Sequence, residues 1–228
     1  MSEKKQINID QMVQQYTHLY DEGYLNNQKV AKLAKLYKKS NLLPTSMTTN
    51  LFGKDRSNHI KDLIIDYERE NPVGMESNVK AWASVYETHL LTDIFSNYIN
   101  AIVQYSENLY NKLFSTEEIL EIGEFWVAHY RKGDFTVKHN HGNLLDNFVI
   151  SGCYYAYVED DASPIIFDGQ KPVYPKNDSL VLFSSQTEHE VPPTDGERII
   201  MSFNIRKTKK TELTTDEYNN LANFISNM

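Results

Sequence analysis

A chain of 228 residues with 40% hydrophobic and 24% charged residues has the composition of a globular protein and can bury one substantial core. Its 15 tyrosines and 10 phenylalanines exclude a disordered chain. A formal net charge of -8 disfavours binding to nucleic acid, which rests on a basic surface, and the single cysteine, Cys153, excludes an internal disulfide and a thiolate zinc cage.

No apolar run approaches the roughly 20 residues needed to cross a bilayer. The opening MSEKKQINID is too polar for a signal peptide, so a soluble, cytoplasmic protein without a membrane partner is expected. The basic stretches Lys29 to Lys39 and Arg206 to Lys210 read as solvated flanks.

The first half of the chain carries helical periodicity. Asp10 is placed to cap a segment whose Met12, Val13, Tyr16, Leu19 and Tyr20 share one face, with Gly23 closing it. Val30, Leu33, Ala34 and Tyr37 repeat the pattern before Leu43-Pro44 interrupts it. Ser57 is expected to cap a third helix through Ile60, Leu63, Ile64 and Tyr67, ended by the turn residues Asn71-Pro72-Val73-Gly74. The longest helical pattern runs from about Leu91 to Leu113, with Ile94, Tyr98, Ile102, Tyr105 and Leu109 as its stripe.

Beyond about residue 120 the period changes to two. Short β-rich runs follow at Phe125 to Tyr130, Phe148 to Val158, Pro164 to Phe167, Ser179 to Phe183 and Arg198 to Arg206, separated by turn signals such as Asp195-Gly196. This succession predicts a sandwich or barrel. In the last run, Ile199, Met201, Phe203 and Ile205 form one apolar face, while Arg198, Ser202, Asn204 and Arg206 share the other with Ile200. One face should be covered by helices and the other should look into a polar cavity. A C-terminal helix is expected from the capping box Thr214 and Glu217 and the stripe Tyr218, Leu221, Ala222 and Ile225.

Three histidines stand at turn-flanked positions of the β-rich half: His139 and His141, in Lys138-His139-Asn140-His141-Gly142-Asn143, and His189. In an extended segment an H-x-H pair points both rings to one face, within reach of a single cation. A third ligand from another strand completes a facial set that leaves positions open for substrate and dioxygen. Phe183 to His189 ends a strand with a candidate ligand, and Arg198 opens the next strand after one hairpin turn. A guanidinium so placed suits a bidentate grip on a carboxylate.

At these residues the chain resembles the 2-oxoglutarate and Fe(II)-dependent oxygenase superfamily. The order of Tyr130, Gly133, His139, Asn177-Asp178, His189 and Arg198 is similar to the prolyl-hydroxylase-like pattern. A closer likeness is to a branch known from marine bacteriophages and bacteria. It is carried by Glu76-Ser77-Asn78-Val79-Lys80-Ala81-Trp82-Ala83-Ser84, His139-Asn140-His141, Ile150-Ser151-Gly152-Cys153-Tyr154-Tyr155, Leu182 to Pro192 and Arg198 to Asn204.

The resemblance implies an α+β fold with a double-stranded β-helix core of the jelly-roll, cupin-like kind. N-terminal helices would pack on its major sheet, and a C-terminal helix would follow. Residues 1–70 would be a helical extension and 71–228 the oxygenase domain. It further implies Fe(II), 2-oxoglutarate and dioxygen as cofactor and co-substrates, and hydroxylation of an unidentified peptide or small molecule in the cytoplasm, the host's if the chain is phage-encoded.

His139, His141 and His189 would hold the metal, and Arg198 the distal carboxylate of 2-oxoglutarate. Ser202, Tyr130 and one of Tyr154 or Tyr155 would touch the co-substrate. His141 departs from the superfamily, whose usual ligand there is Asp or Glu. Asp146 is an alternative carboxylate, and His141 is alternatively a group behind the ligands. Trp82 is read first as a core anchor. The unmatched N-terminal helices are a candidate surface for homo-oligomer contacts. Two other readings stay open: a cupin-like metal isomerase or lyase, and a non-catalytic β-sandwich module.

Overall fold

The structure is a computed structural model that describes residues 45–142 and 148–208. The expected helices around residues 12–20, 30–37 and 214–225, and Asp146, lie outside the described residues.

Among the described residues ten strands and three helices follow one another: β1 (Ser46–Thr49), α1 (Lys54–Glu70), β2 (Val79–Lys80), β3 (Trp82–Ala83), α2 (Thr88–Leu91), α3 (Ser96–Phe114), β4 (Leu120–Tyr130), β5 (Phe135–His139), β6 (Phe148–Val158), β7 (Ile166–Phe167), β8 (Ser179–Ser184), β9 (His189–Val191) and β10 (Arg198–Lys207). The strands form a six-stranded sheet in the order β1-β8-β6-β10-β4-β3 and a four-stranded sheet in the order β2-β5-β9-β7. These two facing antiparallel sheets, joined by strands that alternate between them, are the double-stranded β-helix with helices on its larger sheet. Among the described residues no helix is long and apolar enough to cross a membrane.

Strand β10 sits at the centre of the large sheet, pairing with β4 on one side and β6 on the other. Its alternation divides the protein. Ile199, Met201, Phe203 and Ile205 are buried with Ile60 and Ile64 of α1, Phe95, and Ile99 and Ile102 of α3. Ile200 points the other way, into a second core shared with Trp126, Tyr130, Tyr155 and Phe183 of the large sheet and Val191 of the small one. Burying each large apolar side chain contributes about 1.5–3 kcal/mol, so the helix-side core anchors the sheet behind the cavity. Gly152 is needed at the crossing of β6 and β10, because a Cβ there would lie 2.5 Å from the Phe203 ring and 2.8 Å from the Val181 carbonyl.

The helices begin where tertiary contacts put them. Ser57, expected as an N-cap, lies inside α1, and its hydroxyl donates to the Ala156 carbonyl (2.9 Å). The helix starts one turn earlier because Gly53 adopts φ +86° and the Asp178 carboxylate accepts from the amides of Phe52 (2.9 Å) and Gly53 (2.7 Å). A remote acidic side chain thus replaces a local cap. At its far end α1 is tied down by Glu68, which meets His129 Nδ1 (2.6 Å) and Arg131 (2.8 Å).

Helix α3 starts at Ser96 rather than near Leu91, and its most buried positions are Ile99, Ile102, Ser106 and Tyr110. Tyr98, Tyr105 and Leu109 of the expected stripe pack at the margin of the core, while Ile94 precedes the helix and is exposed. Ser115, at φ 53°, ends it in the left-handed conformation.

Candidate active site

The small sheet brings two of the predicted histidines together by register. His139 closes β5, His189 opens β9, and the two are direct cross-strand partners. Side chains opposite one another on an antiparallel pair share a face, and their ring centroids are 4.4 Å apart. His141 follows two residues beyond β5, fixed by its backbone N–H donating to the Ser185 carbonyl (2.9 Å). Its ring lies 4.8 Å from that of His139 and 5.2 Å from that of His189. One ligand nitrogen from each of the three lies within 4.8 Å of the others, the spacing of groups that converge on one cation.

Their chemistry suits a ligand set. His139 Nδ1 donates to the Val137 carbonyl (2.8 Å) and His189 Nδ1 to the Thr187 carbonyl (3.0 Å), which leaves each Nε2 lone pair bare. Burial lowers the pKa of all three rings. That of His189 falls to about 4, helped by the neighbouring His139, and that of His141 falls well below the usual histidine range with both neighbours adding to it. All three are therefore neutral near pH 7, the form that binds metal. A divalent cation such as iron fits this donor set.

Arg198 lines the same cavity, from the first position of β10. It is fully buried; its guanidinium stacks 4.0 Å from the centre of the Tyr130 ring, and Nη1 donates to the Ser163 carbonyl (3.2 Å). Nε and Nη2 are buried without a hydrogen-bond partner, and no acidic side chain pairs with them among the described residues. A buried cation with two idle donors is costly unless an anion completes it. A carboxylate offers the matching two-oxygen edge, so a ligand carboxylate fits the arginine as a metal fits the histidines.

Around these groups stand Tyr130, Tyr155, Cys153, Ser202 and Ile200. The Tyr130 hydroxyl hydrogen-bonds with Thr136 (2.6 Å), and Cys153 Sγ lies 3.4 Å from the Ser202 hydroxyl. Burial raises the pKa of Tyr130, Tyr155 and Cys153, so they line the cavity as neutral groups and the thiol is not a ready nucleophile.

Of the predicted site residues, His139, His141, His189, Arg198, Tyr130, Tyr155 and Ser202 line one cavity. Tyr154 does not. It neighbours Tyr155 on β6, so pleating turns it to the helix side, where its ring meets Phe52 and its hydroxyl donates to Asp178 (2.9 Å). The Asn177-Asp178 pair stands at the entrance to β8 with Asp178 at φ 57°, serving the start of α1 rather than the cavity. Trp82 packs on the core and its indole N–H donates to the Asn71 carbonyl (2.9 Å), an anchoring position.

Trp126, Thr136 and Phe183 also line the cavity. The period-two pattern of β4 places Trp126 on the same face as Tyr130, and that signal was sufficient to find it. Asn204, which the alternation of the last run turns to the cavity face, stands 3.3 Å from His141 Nδ1, and Glu124 meets Asn204 from behind through a contact that only the strand register reveals.

No protein-family model matches the chain, and comparison with curated proteins gives no significant relative. Solved structures do match. A prolyl-4-hydroxylase from Pseudomonas putida is similar at 20% identity over 79% of this chain and 100% of that one, with a TM-score of 0.59. A viral collagen prolyl hydroxylase from Paramecium bursaria Chlorella virus-1, solved as its 2OG complex, is 14% identical over 71% and 94%, with a TM-score of 0.56. A prolyl hydroxylase from Trichoplax adhaerens, in complex with a hypoxia inducible factor peptide fragment, is 16% identical over 80% and 93%, with a TM-score of 0.54. The likeness at these identities is one of fold.

Proposed function

We propose that this chain is a non-haem Fe(II) and 2-oxoglutarate-dependent dioxygenase that hydroxylates a C–H bond of a peptide or small molecule. The observation that carries this reading is a fully buried arginine with two idle N–H donors in the same cavity as three neutral, converging histidines. His139 and His189 hold the metal, with His141 completing the face. Arg198 takes the distal carboxylate of 2-oxoglutarate, Ser202 adds a hydrogen bond, and Tyr130 and Tyr155 wall the bound co-substrate.

Iron supplies the oxidising chemistry when bound, with dioxygen and 2-oxoglutarate consumed and succinate and CO2 released. The chain's own residues orient the co-substrate, and Trp126, Phe183 and Ile200 keep water from the reacting centre. Similarity to hydroxylases of prolyl residues supports a peptide substrate, and the net charge of -8 supports a protein or small molecule over nucleic acid. A phage or bacterial cytoplasm is the setting this reading assigns.

The test is an anaerobic titration of the metal-free protein with Fe(II) and then 2-oxoglutarate. A visible charge-transfer band that appears only with both supports the proposal. Among the described residues the converging set is three histidines, a donor set that also suits one competing reading, a cupin-like isomerase or lyase using zinc or manganese. Metal uptake without the band points there, and no metal uptake points to a non-catalytic module.

A further inference from the structure

Behind the histidine cluster runs a partly buried polar chain that the proposed reaction does not require. Asn204 is fully buried on the cavity-side face of β10. Its Oδ1 accepts from the Ser151 hydroxyl (2.6 Å), and its Nδ2 donates to Glu124 Oε2 (2.5 Å) and stands 3.3 Å from His141 Nδ1.

The chemistry of the three partners fixes the direction of each bond. The Asn204 Nδ2 donates to Glu124 Oε2, so Glu124 faces the NH2 edge of the amide and not its oxygen. The Ser151 hydroxyl gives its one proton to that oxygen, the shorter of its two contacts, and accepts from the Ser185 hydroxyl (3.0 Å). The second amide N–H is thereby aimed at His141 Nδ1, which accepts it. In a neutral imidazole one nitrogen accepts and the other carries the proton, so the proton of His141 is on Nε2. His139 and His189 are arranged the other way round, because each Nδ1 faces a backbone carbonyl, which only accepts.

We infer that Glu124 and Asn204 form a positioning pair that locks His141 in the Nε2–H tautomer while no metal is bound. His139 and His189 therefore capture a cation first. His141 joins only when its proton has moved to Nδ1 and the Asn204 amide has turned its oxygen toward it, against the preference of Glu124. No proton is gained or lost by the protein in this exchange. The tautomer assignment stands on hydrogen-bond geometry alone, and its consequence for cation capture rests on the metal site proposed above.

Two measurements separate these parts. Imidazole 15N spectra of the metal-free protein should show Nε2 protonated in His141 and Nδ1 protonated in His139 and His189. A protonated Nδ1 in His141 overturns the inference, and this arm needs no variant. The second arm is Mn(II) affinity, read from free-ion EPR, in the wild type and in Glu124→Gln. The neutral amide of glutamine can face either edge of Asn204 and so releases the lock.

Mn(II) should then bind tighter by about tenfold, the scale of one hydrogen bond made or lost. A purely electrostatic role for Glu124 predicts weaker binding, since a negative charge near the cation is removed. Equal or weaker binding by the variant, at unchanged thermal stability, overturns the inference. If the wild type binds no Mn(II) while the tautomers are as stated, the proposed metal site falls and the hydrogen-bond lock remains.

Discussion

The two faces of strand β10 have the same backbone and the same neighbours in the sheet, yet they do different work. On the helix side Ile199, Met201, Phe203 and Ile205 belong to a cluster of apolar and aromatic side chains. On the cavity side Arg198, Ile200, Ser202 and Asn204 alternate a charge, an alkyl group, a hydroxyl and an amide, all buried. The first face stabilises the fold through burial. The second keeps Arg198 incompletely paired, a standing cost that the first face offsets. Polar groups are tolerated there because the sheet holds Ser202 and Asn204 against internal partners, and the co-substrate proposed above would complete the bonding of Arg198.

Substitutions on the two faces should therefore separate stability from binding. Phe203→Ala removes a fully buried ring from the helix side and should cost about 3–5 kcal/mol of stability, read as a fall in the urea midpoint. At temperatures where the variant stays folded, its affinity for 2-oxoglutarate should be close to wild type. A large loss of affinity in the folded variant would break the division between the faces.

Arg198→Leu should do the reverse. It removes an unpaired buried charge, so the metal-free protein should be as stable as wild type or more so. Binding of 2-oxoglutarate should weaken by about 2–5 kcal/mol, as when one partner of a buried charge pair is deleted, while Mn(II) uptake persists. Isothermal titration with each ligand checks both. Joint loss of co-substrate binding and stability would mean that the arginine serves the fold.

The histidine cluster adds a pH dependence that the helix-side core lacks. Burial holds the His189 pKa at about 4 in the folded protein, against an ordinary value of 6.5 in the unfolded chain. The unfolded chain thus binds protons first. The stability contributed by neutral His189 is complete above pH 6.5 and is lost as pH falls toward 4, by roughly 3 kcal/mol. Urea unfolding of wild type and His189→Gln across that window should show a shallower slope in the variant. Parallel slopes would place the acid sensitivity elsewhere.

Much of this arrangement was legible in the sequence, because period-two alternation in β10 and β4 is a local signal and an H-x-H in extended chain has one geometric meaning. The runs at Phe148 to Val158 and Arg198 to Arg206 match β6 and β10 closely for that reason. The start of α1 was not legible, since its acceptor, Asp178, is supplied by a residue more than a hundred positions away. Tyr154 and Tyr155 could not be told apart without knowing which face of β6 meets the helices. The short strands β2, β3 and β9 are defined by their partners rather than by composition, and the opposition of His139 to His189 follows only from that pairing.

The smallest expected effect lies at Ser202, and it tests how finely the cavity face is tuned. Its hydroxyl stands 3.4 Å from Cys153 Sγ, a weak contact that leaves hydrogen-bonding capacity for a ligand. It lines the same cavity as Arg198 from the same face of β10, four residues along, and is the second donor proposed for the co-substrate. Ser202→Ala should then weaken 2-oxoglutarate binding by about 0.5–1.5 kcal/mol, the net value of one hydrogen bond, with Mn(II) affinity unchanged. In an Arg198→Leu background the same substitution should cost less, because the carboxylate that Ser202 supports is no longer held. A double-mutant cycle on 2-oxoglutarate affinity reads that coupling directly. A coupling of zero would detach Ser202 from the co-substrate and leave it as packing beside Cys153.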